Sequence, residues 1–358
     1  MTLPQPKPDI MEIKPYIGGE GRFGNGRVAR LASNENPLGC SPLAREAYLA
    51  AAAELNRYPD GAAAALRKAL GDAFGLDAER IVCGAGSDEL ISLIVRAYAG
   101  VGDEVVHSAH GFLMYPINAK AVGAKPVAAA EVDLRMNVDA LVAAVTPKTK
   151  MMLLANPNNP TGGYLTRDEM AQLRARLPEH VLLVIDAAYA EFVDAADYSD
   201  GADLVDTHEN VVMLRTFSKI HGLAGLRVGW GYFPAAIAGV INRVRGAFNV
   251  SVPAQAAAVA ALQDKAFIAQ SAQLAKDGRA YLTQELTALG VKVYPSVTNF
   301  ILAEFGPDAE DTRVALKDRG IFVRQMGAYN LPETLRISIG TADDNAYLVS
   351  ALREILSI

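Results

Sequence analysis

The sequence predicts an α/β protein whose main domain is a mostly parallel sheet between helices. Short apolar runs alternate with helical patterns from residue 61 to about residue 233, and such alternation is typical of crossover units in a parallel sheet. The runs are continuous, as expected for strands that helices cover on both faces. A different order of strands and helices follows near the C-terminus and predicts a second, smaller α+β domain.

We divide the 358 residues into three parts, since a chain of this length commonly builds more than one domain. Residues 1–30 are rich in Pro and Gly and are predicted to form an extended N-terminal arm. Residues 31–245 form the predicted large domain, and its first part is free to pack on the small domain. Residues 246–358 form the predicted small domain.

The elements follow from local patterns. A helix is predicted at 42–55, before an exposed turn at 56–61, and another helix starts at Ser87. The apolar runs predict strands at 80–84, 103–107, 150–155, 181–185 and 211–214. Long helical patterns fill 234–280. The tail has predicted strands at 291–294, 299–303, 321–324 and 335–339 and helices at 310–319 and 343–356.

Composition and charge argue against several classes of protein. The net charge of −6 and the lack of a basic block argue against a nucleic-acid surface. The start has no signal core and no uncharged apolar run reaches about 18 residues, so we predict a cytoplasmic protein without a membrane span. Cys40 and Cys83 suit neither a disulfide framework nor a metal site, and we predict no metal.

Polar residues recur where the predicted strands end. In open α/β sheets, ligands bind outside the carboxyl ends of the strands. Each polar group follows a separate apolar run, so we expect all of them to face one crevice. They are Gly86, Ser87, Asp88, Asn159, Asp186, Tyr189 and Lys219.

Lys219 is the most informative of these residues, because it lies among small residues just after a predicted buried strand. Burying an unpaired ammonium is costly, and a desolvated lysine readily becomes a neutral amine that forms a Schiff base with an aldehyde. Ser218 and Arg227 are close in sequence and can both hold an anion. The combination indicates pyridoxal 5'-phosphate bound covalently to Lys219. The alternative is an ordinary solvated loop lysine.

Further side chains suit such a cofactor. Asp186 can bond the pyridine nitrogen and keep it protonated, which makes the ring an electron sink, although it could equally cap a turn. Tyr189 and Asn159 could reach the ring's 3-hydroxyl, but the Asn-Pro run at 158–160 also suits a turn. Phe112 could stack on a flat cofactor or be a core aromatic.

A glycine turn at 84–88 lies between a predicted strand and a predicted helix. Amides at a helix N-terminus bind phosphate, so Gly86, Ser87 and Asp88 are candidate phosphate ligands. Ser87 would serve equally well as a plain N-cap. The turn lacks the lysine of a P-loop and the full glycine set of a dinucleotide site.

With these residues in place, the chain resembles the fold-type I pyridoxal-phosphate aminotransferases from about residue 14 to its end. The resemblance implies a large domain with a mostly parallel sheet of the seven-stranded type and a smaller C-terminal domain. It also implies transamination in two half-reactions. The motifs that support it are Asn56-Arg-Tyr-Pro-Asp60, Asn159-Pro-Thr-Gly162, Asp186-Ala-Ala-Tyr189, and Ser218-Lys219 with Gly222-Leu-Ala-Gly-Leu-Arg227.

The resemblance also implies a role for each site residue. Lys219 would hold the cofactor and move the proton between it and the substrate, Asp186 would pair with the pyridine nitrogen, and Phe112 would stack on the ring. Asn159 and Tyr189 would bond the 3-oxygen. The implied phosphate ligands are Ser218, Arg227, the turn Gly86-Ser-Asp88 and Thr216. Tyr58 would reach the phosphate of a partner subunit, which implies a homodimer. The implied substrate-side residues are Tyr16, Asn36, Arg324 and Arg336.

Within the family, the closest likeness is to members that act on L-histidinol phosphate. These exchange its amino group with 2-oxoglutarate, giving imidazole-acetol phosphate and L-glutamate in histidine biosynthesis. The motifs of this closer likeness are Ala32-Ser-Asn-Glu-Asn-Pro-Leu-Gly39, Gly84-Ala-Gly-Ser-Asp-Glu89 and Leu335-Arg-Ile-Ser-Ile-Gly-Thr341.

The chain departs from the family pattern in two places, and both concern specificity. It reads Pro15-Tyr-Ile-Gly-Gly19 where Pro-Tyr-x-Pro-Gly is common, and His110-Gly111 where we expect Pro and a small hydroxyl residue. A Tyr/Phe aminotransferase, a dual-specificity enzyme and a decarboxylase of phosphate-bearing substrates therefore stay open. A regulator's sensor domain would need a DNA-binding module, for which the arm has no basic helix, and a nicotinamide dehydrogenase would give Lys219 and Asp186 no role.

Overall fold

The computed structural model describes residues 4–16, 18–19 and 26–357. Of the predicted arm, residues 1–3, 17 and 20–25 lie outside this part, which includes Ile17 of the departing motif. The strands are β1 Ala29–Leu31, β2 Ile81–Gly84, β3 Glu104–Ser108, β4 Lys125–Ala129, β5 Glu131–Val132, β6 Arg135–Met136, β7 Thr149–Ala155, β8 Leu182–Asp186, β9 Val211–Thr216, β10 Gly229–Tyr232, β11 Lys292–Val293, β12 Phe300–Glu304, β13 Ile321–Met326 and β14 Leu331–Ser338.

The helices fall between the strands, as the alternation of patterns predicts. They are α1 Pro42–Ala51, α2 Ala64–Phe74, α3 Ser87–Tyr98, α4 Met114–Val122, α5 Val138–Ala143, α6 Arg167–Arg176, α7 Ala202–Thr207, α8 Ala235–Val244, α9 Val252–Gln263, α10 Lys265–Ala288, α11 Ala309–Asp318 and α12 Ala342–Ile355. Short 3-10 segments include Pro8–Glu12, Ala52–Glu54 and Ala190–Phe192.

The larger sheet has seven strands in the order β2-β10-β9-β8-β7-β3-β4. The pairs from β4 through β3, β7 and β8 to β9 are parallel, whereas β10 runs antiparallel to both its neighbours. Every residue of β3, β8 and β9 is buried, since helices cover both faces. The predicted fold class, an α/β fold with a mostly parallel seven-stranded sheet, is confirmed.

The smaller sheet has five strands in the order β1-β13-β14-β12-β11. Strand β1 comes from the start of the chain and pairs parallel with β13, so it crosses the predicted boundary at residue 30. Helix α9 lies beyond the predicted boundary at residue 245, yet its Ala254, Ala257 and Ala258 pack in the core of the larger sheet. Small side chains permit this close helix packing, and we propose that the larger unit extends to about residue 263.

The described helices include none long and apolar enough to cross a membrane. The longest, α10, has 24 residues but places polar side chains along most of its length. Its apolar residues Leu282 and Leu286 pack instead in the core of the smaller sheet.

Candidate active site

A cavity of about 310 Å³ opens at the carboxyl ends of the parallel strands, where the two sheets meet. Its volume suits a small ligand. Most of the predicted site residues line it, as do Ser33 and Asn34. The predicted residues in the lining are Tyr16, Ser87, Asp88, Phe112, Asn159, Asp186, Tyr189, Thr216, Ser218, Lys219, Arg227, Arg324 and Arg336.

Lys219 enters the cavity three residues after the end of β9. Its ammonium group donates a hydrogen bond to the carbonyl oxygen of Ser33 at 3.1 Å. Loss of solvent and, to a smaller extent, the positive charge of Arg336 lower the pKa of Lys219 to about 8. A substantial share of the amine is therefore neutral near pH 8, which is the form that reacts with a carbonyl carbon.

Asp186 is the last residue of β8 and its side chain is buried. Its Oδ2 accepts a hydrogen bond from the hydroxyl of Tyr115 at 3.0 Å, whereas Oδ1 has no partner among the residues that the structure describes. Burial raises the pKa of Asp186 to about 6, although the Tyr115 hydroxyl opposes the change. A buried acceptor without a donor is costly, so this oxygen calls for a ligand that donates a hydrogen bond.

Asn159 and Tyr189 are each held by a residue distant in sequence. Arg336 donates to Oδ1 of Asn159 at 2.5 Å and to the carbonyl oxygen of Ala32 at 2.9 Å. Asn34 donates to the Tyr189 hydroxyl at 2.8 Å, and burial raises the pKa of that hydroxyl. With its oxygen engaged, Asn159 has its amide nitrogen left to donate to a ligand.

The turn before helix α3 forms an anion-binding end of the cavity. Gly86 has φ +87°, and a Cβ there would come within 2.5 Å of Nη2 of Arg227, so glycine lets the guanidinium approach. Nη1 of Arg227 donates to the Ser218 hydroxyl at 3.3 Å. The first amides of α3 have no intrahelical acceptor, and Ser87 brings them to the cavity wall.

Asp88 shares this end of the cavity, and its carboxylate does not suit an anion. Its Oδ1 is buried without a partner in the described part of the chain. Burial raises the pKa of Asp88, and the charge of Arg227 opposes that change. We infer that its backbone amide, not its side chain, serves an anionic ligand.

The opposite end of the cavity contains Tyr16, Arg324 and Arg336. The guanidinium of Arg324 lies 5.5 Å from the centre of the Tyr16 ring, a cation–π distance. Nε of Arg336 is buried and has no acceptor among the described residues. A cation-rich end with an unsatisfied donor suits an anionic substrate group.

Three predicted site residues lie outside the cavity lining. Gly86 stands behind it and shapes the approach of Arg227. Asn36 donates to the carbonyl of Ile220 and to the hydroxyl of Ser271, both at 2.9 Å, so it supports the segment next to Lys219. Tyr58 is 82% exposed.

Sequence reasoning missed two residues that shape the site, Asn34 and Tyr115. Asn34 lies in the motif at 32–39, and in the structure its φ of +54° is uncommon for a residue other than glycine. Tyr115 follows Phe112 by three residues, and the two rings meet edge to face with centroids 5.8 Å apart. For Tyr115, the available signal in the sequence was a hydroxyl group at the end of the apolar run Phe112-Leu-Met-Tyr115.

The comparison with known families agrees with this geometry. The model of the family described as aminotransferase class I and II matches residues 27–352. The chain belongs to this family. The match covers both sheets, including strand β1 and most of helix α12.

Relatives of this aminotransferase match over nearly the whole chain. A histidinol-phosphate aminotransferase from Paramagnetospirillum magneticum is 57% identical over 99% of both chains, and one from Rhodospirillum centenum is 54% identical over 98% of both. Among solved structures, the histidinol-phosphate aminotransferase of Sinorhizobium meliloti in complex with pyridoxal-5'-phosphate matches with a TM-score of 0.92. It is 30% identical, and the match covers 99% of this chain and 98% of that one.

Proposed function

We propose that this aminotransferase exchanges an amino group between L-histidinol phosphate and 2-oxoglutarate, giving imidazole-acetol phosphate and L-glutamate in histidine biosynthesis. The observation that most supports it is the cavity in which Lys219 faces the buried carboxylate of Asp186 between two cationic ends. The full-length relatives that bear this enzyme's name support the choice of substrate.

The residues of the cavity fit pyridoxal 5'-phosphate. The unpartnered oxygen of Asp186 suits the protonated pyridine nitrogen, and the amide nitrogen of Asn159 and the Tyr189 hydroxyl suit the 3-oxygen. Ser218, Arg227, Thr216 and the amides after Gly86 suit the phosphate, and the amine of Lys219 suits the aldehyde. When bound, the cofactor withdraws electrons from the substrate's α carbon through its protonated ring.

The side chains of the protein supply the proton transfers and the orientation. Nζ of Lys219, once neutral, would accept the proton from the substrate's α carbon and deliver it to the cofactor, and would move a proton in the opposite direction in the second half-reaction. Asp186 would stabilise the charge of the ring nitrogen, and Phe112 would stack on the ring. These roles require fixed distances between the side chains. The larger sheet can provide them, because Lys219, Asp186 and Phe112 lie at or just after the ends of different strands of that sheet.

Two different anions must be accepted at the substrate end, a phosphate monoester in one half-reaction and a dicarboxylate in the other. Arg324 and Arg336 suit both, because a guanidinium can bond a carboxylate or a phosphate through two parallel N–H groups. Tyr16, beside Arg324, adds an aromatic face that an imidazole could contact.

We further propose that the enzyme is a cytoplasmic homodimer in which Tyr58 reaches the cofactor phosphate of the partner. Tyr58 is 82% exposed and stacks on Phe248, with ring centroids 4.7 Å apart. Several exposed apolar side chains also lie shortly before Tyr58 in the chain, and surfaces of this kind commonly mark interfaces. They are Leu43, Tyr48, Leu49 and Leu55.

A comparison of amino donors tests the substrate assignment. Rates with L-histidinol phosphate, tyrosine and phenylalanine are measured side by side with 2-oxoglutarate as the acceptor. We expect the highest kcat/KM for L-histidinol phosphate. Equal or higher values for tyrosine or phenylalanine would replace the proposal by an aromatic or dual-specificity aminotransferase, and release of carbon dioxide from either amino acid would indicate a decarboxylase.

A further inference from the structure

The carboxylate of Glu131 lies beneath the loop that leads to Phe112. Only 2% of its side chain is exposed. One oxygen accepts hydrogen bonds from the Ser108 hydroxyl and from the backbone amide of His110, the latter at 3.1 Å. The other oxygen lies 2.7 Å from Nδ1 of the His110 ring. A single buried side chain therefore holds three groups of the loop.

The loop is also fixed from its other side. It connects the end of β3 to the start of α4, and the amide of Gly111 closes a turn on the carbonyl of Ser108 at 2.9 Å. Nδ2 of Asn158 donates to the carbonyl of His110 at 3.2 Å. Side chains thus hold both the amide and the carbonyl of His110, two residues before Phe112 enters the cavity wall.

The sequence explains why this loop needs side-chain hydrogen bonds to fix its conformation. His110-Gly111 stands where we expect Pro and a small hydroxyl residue, so the chain lacks a ring that would limit φ at this point. Glycine is the most flexible residue in an unfolded chain. The turn is nevertheless tight, because a Cβ at Gly111 would lie 3.1 Å from the carbonyl oxygen of Ser108.

We infer that Glu131 is a positioning residue for the ring of the cofactor, because it fixes the 108–112 loop and thereby the plane of Phe112. The inference rests on the proposed function, since it requires a flat cofactor against Phe112. Glu131 itself does not line the cavity. It acts through His110 and Ser108.

The charge state of Glu131 agrees with this role. Burial alone would raise the pKa of Glu131, but hydrogen bonds from His110 and Ser108 outweigh burial and hold the pKa below its ordinary value of 4.5. The carboxylate is therefore ionised at neutral pH and can accept all of these bonds. Protonation would remove an acceptor only in acid solution.

The test compares Glu131→Ala with Glu104→Ala. Glu104 is a matched control, because it is a mostly buried glutamate at the start of β3, the strand whose other end leads into the 108–112 loop, and it accepts from the Thr146 hydroxyl at 2.6 Å. For each full-length variant we would measure the dissociation constant of pyridoxal 5'-phosphate, the visible circular dichroism of the bound cofactor and the melting temperature without cofactor. Glu131→Gln tests rescue, since its amide oxygen can still accept from Ser108 and the His110 amide.

We expect Glu131→Ala to weaken cofactor binding roughly tenfold, the effect of leaving one or two buried donors unpaired, and to reduce the visible circular dichroism. Glu131→Gln should recover most of the loss, and Glu104→Ala should alter only the melting temperature. Should Glu131→Ala not fold, Ser108→Ala gives the same comparison with one bond removed, and we expect a smaller loss in the same direction.

Unchanged affinity and circular dichroism in Glu131→Ala would overturn the inference, as would an equal change in Glu104→Ala. Either outcome leaves the proposed function intact as long as the wild-type protein binds the cofactor and turns over. A wild-type protein that binds no pyridoxal 5'-phosphate would instead overturn the proposed function itself.

Discussion

Replacing Asp186 by Asn is expected to stabilise the cofactor-free protein at pH 8 while removing transaminase turnover. Burial raises the pKa of Asp186 from 3.8 to about 6. The folded state then binds a proton more tightly than the unfolded state, so the ionised carboxylate destabilises the fold. This cost is fully present above pH 6, and it disappears as the pH falls from there to below 3.8.

The size of the effect follows from the two pKa values. A rise from 3.8 to about 6 corresponds to about 3 kcal/mol in the free energy of unfolding at pH 8, and to roughly half of that at pH 5. Asparagine has the same shape and can still accept the Tyr115 hydroxyl, but it has no charge to bury. The gain of Asp186→Asn should therefore be largest at pH 8 and should shrink toward pH 5.

The assay is urea denaturation of the cofactor-free protein between pH 5 and pH 8, at one protein concentration because a dimer's stability depends on it. Asp60→Asn is a control of opposite sign, since backbone amides of Ala64 and Ala62 hold the pKa of Asp60 below its ordinary value. We expect that control to lose stability or to leave it unchanged. Equal unfolding free energies for wild type and Asp186→Asn at pH 8, or a difference independent of pH, would refute the reasoning.

Three further predictions concern turnover. Lys219→Ala should bind pyridoxal 5'-phosphate without forming the covalent adduct seen by mass spectrometry after borohydride reduction, and it should not turn over; full activity would contradict the assignment. Dimers mixed from Tyr58→Phe and Lys219→Ala subunits should regain part of the wild-type rate, because one of the two sites is then intact; activity that merely sums over the parents would show that Tyr58 does not cross. Arg336→Lys preserves the charge but loses the paired contacts to Asn159 and Ala32, so steady-state kinetics should show KM for 2-oxoglutarate raised roughly tenfold or more. An unchanged KM would exclude Arg336 as a substrate-binding residue.

The fold could be predicted where local patterns are strong. The five strands of the larger sheet that were predicted from continuous apolar runs are present, but its strands β4 and β10 were not predicted. Strand β4 lies at the edge of the sheet and contains Pro126, which an edge strand tolerates. Strand β10 is Gly229-Trp-Gly-Tyr232, a four-residue segment in which two glycines hide the apolar pattern.

The site could be predicted in its parts but not in its connections. Asp186 and Lys219 were found because the rule for strand ends needs only a local reading of the chain. The bonds from Asn34 to Tyr189 and from Arg336 to Asn159 join residues 155 and 177 positions apart. They depend on how the smaller sheet docks on the larger one, and no local pattern contains that information.

Arg336 shows why this docking matters for the chemistry. Its charge helps to lower the pKa of Lys219, and its guanidinium donates a hydrogen bond to Asn159. Its buried Nε has no acceptor in the described part of the chain. An anionic substrate group bound to Arg336 would offset that charge and so raise the pKa of Lys219. The amine would then become a stronger proton acceptor when substrate is present. If Arg336 binds the substrate as proposed, one guanidinium from the smaller sheet would join substrate binding to proton transfer on the larger sheet.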